Sequence, residues 1–203
     1  MDIEYERFLL DLSKSIYSSI NLIKPNLKGL RVLTEVGSNS FLSTPVIASL
    51  AGAEEVIACT KDSKWGKVKD IKNNLNDLSS LSGCKNNIYV TKEKPVEVAK
   101  NIDLVTNLSL IRPINKAIIE QLSYNSCIAL MWEPWEFRAE DIDRKACEKY
   151  KVPIIGTNES NPNLNTLHAV GLLAVKLLME RKVVIYGLHI LLLGSDPFGK
   201  NIG

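Results

Sequence analysis

The sequence predicts a doubly wound parallel sheet, an α/β three-layer sandwich over about residues 1–160. Three observations carry this. Short apolar runs alternate along the chain with stretches of helical periodicity. Crossovers of helix length join parallel neighbours, so both faces of the sheet are covered. Finally, Ile128-Ala-Leu-Met131 and Ile190-Leu-Leu-Leu193 are apolar throughout, as strands buried on both faces are.

The first element is a helix over 4–23, with Phe8, Leu9, Leu12, Ile16, Ile20 and Ile23 on one face, ended by Pro25 and Gly29. Strands follow at Leu30–Val36, Glu55–Cys59, Asn87–Thr91, Asp103–Thr106, Cys127–Trp132 and Val152–Ile155, then His189–Leu193. Helices are expected between them, at about 41–51, 62–82, 95–101, 113–122, 139–150 and 164–182. The last is apolar nearly all round, from Leu164 to Met179, which predicts a buried helix crossing between two domains. The reading is a domain over 1–160, a crossing helix over 161–182, and the start of a second, truncated domain over 183–203.

The opening of that second domain is the run His189–Leu193 followed by Gly194, Ser195, Gly199 and Gly203. A glycine turn after a buried strand is how a Rossmann unit brings backbone N–H groups to a phosphate. Here the spacing is G-x4-G-x3-G rather than G-x-G-x-x-G, and the receiving helix is expected to have barely begun at Gly203. The cradle is therefore expected to be incomplete. A fainter echo of the same start runs from Leu30 to Phe41, with Gly37-Ser-Asn-Ser40 after the strand.

Composition narrows the function classes. The 203 residues are 45% hydrophobic and 24% charged, with 25 Lys and Arg against 23 Asp and Glu. Near-balanced charge gives no basis for a nucleic acid or an anionic membrane as partner. Lys61, Lys64, Lys67, Lys69 and Lys72 alternate with Asp62, Asp70 and Asp77, and read as a solvated helix face. Cys59, Cys84, Cys127 and Cys147 are scattered without a CxxC pair, which speaks against metal or disulfide chemistry. The acidic start and the lack of a spanning apolar stretch predict a cytoplasmic protein.

Ligands of open parallel sheets sit beyond the carboxyl ends of the strands. Ser38 and Asn39 in the first such loop offer donors to a ligand, or cap the next helix. Asp62 has the place of a ribose contact, but a cap is the preferred reading. In Thr106-Asn107-Leu-Ser109-Leu-Ile-Arg112-Pro113, Arg112 either clamps a carboxylate or phosphate or lies on the surface before a helix. In Met131-Trp132-Glu133-Pro134-Trp135-Glu136-Phe137-Arg138 the aromatic residues wall a pocket or, preferably, pack the crossing helix, with Glu133 as the ligand contact. Asn158, in Gly156-Thr-Asn-Glu-Ser160, caps the long helix, lines the cleft, or does both. His168 reads as a core residue and His189 as the opening of a strand. No catalytic residue or acid–base constellation stands out.

Residues 102–156, Ile-Asp-Leu-Val-Thr-Asn … Cys-Ile-Ala-Leu-Met-Trp-Glu-Pro-Trp-Glu … Val-Pro-Ile-Ile-Gly, resemble the NAD(P)-dependent 2-hydroxyacid dehydrogenase superfamily, with its formate and glycerate dehydrogenases and its relatives alanine dehydrogenase and adenosylhomocysteine hydrolase. The resemblance implies a flavodoxin- or Rossmann-like first domain, a crossing helix, and an NAD- or NADP-binding Rossmann domain opening at Gly194, Ser195, Gly199 and Gly203. It supplies no position for the family's catalytic residues. The expected function is the substrate-side domain of a dehydrogenase-like protein, silent alone, with a small-molecule ligand at Ser38, Asn39, Asn107, Arg112, Glu133 and Asn158. A homodimer through the C-terminal strand or the crossing helix is expected. The alternatives are a stand-alone small-ligand-binding or interaction protein of Rossmann-like fold, or a small transferase with a nucleotide on the Gly37 loop.

Overall fold

The structure, a computed structural model, describes residues 3–162, 164, 166–193 and 197–202. The chain divides into two compact units, Met1–Thr157 and Asn158–Gly203.

The first unit begins with helix α1 (Ile3–Ile23), whose apolar stripe buries Leu9 and Ile16. Lys24, at φ 52, ends it. Its Ser13 Oγ lies 2.8 Å from Ser82 Oγ, and Tyr17 donates to the Ser82 carbonyl at 2.7 Å. Both contacts pin α1 to the end of α3 (Val68–Leu81). Six strands follow: β1 (Arg31–Glu35), β2 (Glu55–Cys59), β3 (Ile88–Thr91), β4 (Leu104–Thr106), β5 (Cys127–Ala129) and β6 (Ile154–Ile155). They form one sheet in the order β3-β2-β1-β4-β5-β6. Every pairing is parallel.

Parallel neighbours need helical crossovers, and α2 (Ser43–Leu50), α3, α4 (Pro95–Val98), α5 (Lys116–Ile119) and α6 (Arg144–Tyr150) supply them. Alternate residues of the central strand feed two cores, because side chains of a strand point to opposite faces in turn. Leu33 joins Ile57, Val105 and Ile128 with residues of α5 and α6. Val36 and Ala58 pack with α1, α2 and α3, and Val32 and Val56 with Ala48 and Ala53. The predicted doubly wound sheet is therefore present, with β2 at its predicted bounds and the other five strands one to three residues shorter than predicted.

The four cysteines are free, and Cys59 and Cys147 are fully buried. Burial pushes both thiols up to about 11, with Glu93 and Glu35 adding to the effect at Cys59 and Asp143 at Cys147. A thiol whose pKa is raised by folding gives stability that is intact below its unfolded value. That stability is lost as the pH rises from about 9 to about 11. Urea unfolding at pH 8 and pH 10 is expected to show the loss, and a Cys59→Ala/Cys147→Ala variant should lose less.

The second unit holds α7 (Thr166–Glu180) and α8 (Pro197–Ile202), which pack against each other. Two expectations for it need correction. Residues 188–193 form no strand, and Leu191 and Leu193 are 81% and 90% exposed. An apolar run becomes a strand only where another strand takes up its backbone groups, and none does so here among the described residues. Nor is α7 buried: Leu172, Leu173, Val175, Leu177 and Met179 are all exposed. Among the described residues no helix is long and apolar enough to cross a membrane.

Candidate functional site

Strands β1 and β4 are neighbours, yet β1 runs on to β2 on one side and β4 to β5 on the other. This is a topological switch point, where the loops leaving two adjacent strands diverge and open a crevice. The loop after β1 carries Gly37, Ser38 and Asn39, and the loop after β4 carries Asn107 to Arg112.

The loop after β1 folds on itself. Gly37 N–H is directed to the Phe41 carbonyl at 3.4 Å, and Phe41 N–H to Ser38 at 3.2 Å. A Cβ on Gly37 would stand 3.1 Å from Phe41 Cβ, so the turn has little room for a side chain. Asn39 takes φ 56, a conformation asparagine tolerates better than most residues. Ser38 occupies the N-cap position but makes no side-chain cap bond; Ser43 instead donates to the Ser40 carbonyl at 2.6 Å. The capping explanation for Ser38 therefore fails, while the phosphate-turn explanation loses the Gly37 N–H.

Asp62 is a cap, reaching six residues ahead to accept the Val68 N–H at 2.9 Å and pairing with Lys92 at 3.2 Å. These two contacts hold its carboxyl below the usual range.

Where the β4 and β5 loops touch, Asn107 meets Met131 and Arg112 meets Trp132. Asn107 is fully buried, and its Oδ1 accepts the Met131 N–H at 2.7 Å. That bond fixes the amide orientation and leaves Nδ2 buried with no acceptor among the described residues. Arg112 donates to Asp141 at 2.9 Å, the two side chains being 21% and 15% exposed. Its guanidinium lies 4.9 Å from the centre of the Trp132 ring, and Arg138 lies 5.3 Å from it. Arg112 Nε and Trp132 Nε1 are buried without acceptors in the same sense. Three N–H donors on these two loops thus go unmatched, each at a cost of about 1–3 kcal/mol if left so.

The aromatic residues pack within the first unit. Trp132 and Phe137 lie against the core shared by β1, β4 and β5, while Trp135 is 76% exposed. Glu133, half-buried, precedes the short turn Pro134–Glu136. Pro113 does not start a helix; Asn115 caps α5, accepting from Ile118 N–H at 3.2 Å. Asn158 is the first residue of the second unit, where its Oδ1 accepts the Ser160 N–H at 3.2 Å. Gly199 lies within α8, which starts at Pro197, earlier than the sequence predicts. Gly194, Ser195 and Gly203 lie outside the described residues, as does the side chain of His168. His189 is exposed and opens no strand.

Two participants escaped the sequence reading. Glu35 is buried at the end of β1 and accepts the Leu110 N–H at 2.6 Å, tying the β1 strand to the β4 loop across the switch point. An acid placed between the apolar residues Leu33 and Val36 at the end of a parallel strand was the available signal. Asp141, 29 residues from Arg112, gave none. A groove of about 530 Å³ beside β6, whose lining includes Leu130, Phe137 and Ile154 as well as Arg144, Glu148 and Lys151, takes in none of the six predicted ligand contacts.

No protein-family model matches the chain, and no curated protein does. Solved structures do. A dipicolinate synthase from Bacillus halodurans is 12% identical at a TM-score of 0.52, over 87% of this chain and 56% of that one. The fold is Rossmann-like. The dipicolinate synthase of Bacillus subtilis is 16% identical at 0.49, over 89% and 56%. Benzyl alcohol dehydrogenase from Acinetobacter calcoaceticus is 16% identical at 0.46, over 84% and 44%. The chain thus spans about half the length of the structures it matches, and the likeness is one of fold.

Proposed function

We propose that Met1–Thr157 is the substrate-side domain of an NAD(P)-dependent dehydrogenase-type oxidoreductase, holding a small anionic ligand at the carboxyl ends of β1, β4 and β5. The observation that supports this most is the trio of buried, acceptorless donors Asn107 Nδ2, Arg112 Nε and Trp132 Nε1. They lie beside two guanidinium groups, of which only Arg112 has a carboxylate partner among the described residues. A carboxylate or phosphate oxygen is the acceptor such a set lacks. Ser38, Asn39 and Glu133 are the further contacts of this domain in this reading. NAD or NADP belongs to the domain that opens at Gly194, Ser195, Gly199 and Gly203.

The test is a thermal-shift titration of the whole chain with glycerate and with inorganic phosphate. Saturable stabilisation by either, lost in Arg112→Ala, supports the ligand site; none with either overturns it. The missing strand at 188–193 favours a second reading, a stand-alone ligand-binding protein of the same fold. The two readings part on chemistry. Under the first, the complete product of the reading frame reduces NAD or NADP with a bound hydroxy acid, followed by nicotinamide absorbance; under the second it does not.

The same reading includes a homodimer through α7. Exposed Leu172, Leu173, Leu177 and Met179 make an apolar surface that associates in water. Sedimentation is expected to give a dimer, and Leu173→Asp a monomer. A monomeric native chain removes this part of the proposal.

A further inference from the structure

The lysines at 61, 64 and 67 do not lie on a helix face, because α3 begins only at Val68. They belong to a tight turn. Ser63 N–H donates to the Gly66 carbonyl at 3.0 Å and Gly66 N–H is directed back to Ser63 at 3.4 Å, leaving Lys64 and Trp65 as the two tip residues. Trp65 N–H also donates to Ser63 Oγ at 3.1 Å. The base is tied down by Asp62, through Val68 N–H and Lys92. A Cβ on Gly66 would stand 3.5 Å from Ser38 Cβ, so the turn lies against the loop after β1.

This ordered turn displays its largest side chain instead of burying it. Trp65 is 73% exposed, although an indole is among the side chains that gain most from leaving water. Lys64 Nζ stands 4.8 Å from the ring centre. Lys61, Lys64 and Lys67 have no carboxylate within ion-pair distance among the described residues, Asp62 being engaged by Lys92. The turn therefore offers a flat aromatic face together with Lys61 and Lys64, which make no ion pair among the described residues, and Lys67, which feels Asp62 at longer range, beside a serine hydroxyl with no cap bond. A ring stacks on an indole, and anionic substituents meet ammonium groups; a ligand with both satisfies the whole turn.

We propose that the Lys61–Lys67 turn is a binding arm for a planar aromatic anion, with Trp65 as the stacking platform and Lys64 and Lys67 as the charge contacts. Nucleoside phosphates and aromatic carboxylates share this chemistry, and a titration with each separates them. The arm does not rest on the dehydrogenase reading: Arg112→Ala tests that site, Trp65→Ala this one.

The experiment uses the whole chain, with tryptophan fluorescence as the readout, titrated with AMP in one arm and benzoate in the other. Saturable quenching is expected with at least one. Saturation by AMP alone assigns a nucleotide, and by benzoate alone an aromatic acid; saturation by both supports the arm as a general site for aromatic anions. Binding by Trp65→Ala, read by calorimetry, should be weaker by about tenfold or more, whereas Trp65→Phe keeps most of the affinity. Lys64→Ala should weaken binding and reduce its salt dependence. Trp65 is exposed, so an unchanged melting temperature in Trp65→Ala verifies that the variant is folded. No saturable signal in either arm, or equal affinity in wild type and Trp65→Ala, overturns the proposal.

Discussion

Arg112→Ala is expected to weaken the anionic ligand of the β4–β5 loops by about a hundredfold, and to destabilise the fold as well. The affinity loss follows from removing a charge-assisted donor set, worth about 1.5–3 kcal/mol per hydrogen bond made to a charged partner. The stability loss has a separate source. Arg112 is the ion-pair partner of Asp141, and the side chains are 21% and 15% exposed. Exposed pairs contribute about 0–1 kcal/mol, and breaking a buried one costs about 3–5. This pair lies between, so about 2 kcal/mol is expected. Arg112→Lys separates the terms: it keeps a charge but loses the planar fork and the face-on contact with Trp132. It should fall between the other two in affinity, by about tenfold from wild type. Calorimetry and urea unfolding check the two quantities separately, and an Arg112→Ala chain that binds as the parent does removes the site.

Gly156→Ala is expected to destabilise the first unit by about 2–3 kcal/mol, a large effect for one methyl group. Its Cβ would run into Pro134 Cγ and stand 2.6 Å from Cδ and 2.9 Å from the proline nitrogen. Neither a pyrrolidine ring nor a backbone atom can swing aside as the end of a lysine can. The displaced segment includes Trp132, whose carbonyl accepts the Thr157 N–H at 2.9 Å. Ligand affinity should therefore fall with stability. Pro134→Ala in the same chain removes the ring carbons and should restore part of the loss. If Gly156→Ala unfolds at the parental urea concentration, the close approach of Gly156 to Pro134 is wrong.

The sheet was largely legible because its signals are local. Glu55–Cys59 is a strand at the predicted bounds, and α1 buries part of the stripe that spacing places on one face. The failures came where a local pattern is necessary but insufficient. His189–Leu193 is more apolar than β1, yet only β1 has neighbours, β2 and β4, to take up its backbone groups. The lysines of 61–67 match a helical face, but the Ser63–Gly66 turn holds their backbone, and Asp62 caps from six residues away rather than from the usual position. Of the candidate site, Asn107 and Arg112 were visible as polar residues after an apolar strand. Their partners were not, since the Met131 N–H and Asp141 are brought to them only by the crossover through α5.

The bond from Asn107 to Met131 has a mechanical result. Loops after β4, β5 and β6 are stitched side chain to backbone, Asn107 to Met131 and Thr157 to the Leu130 carbonyl at 2.9 Å. They form a fixed jaw. The turn tipped by Lys64 and Trp65 is held by fewer bonds, through Asp62 at its base and the approach of Gly66 to Ser38. Amide exchange should be slow at Met131 and fast at Lys64.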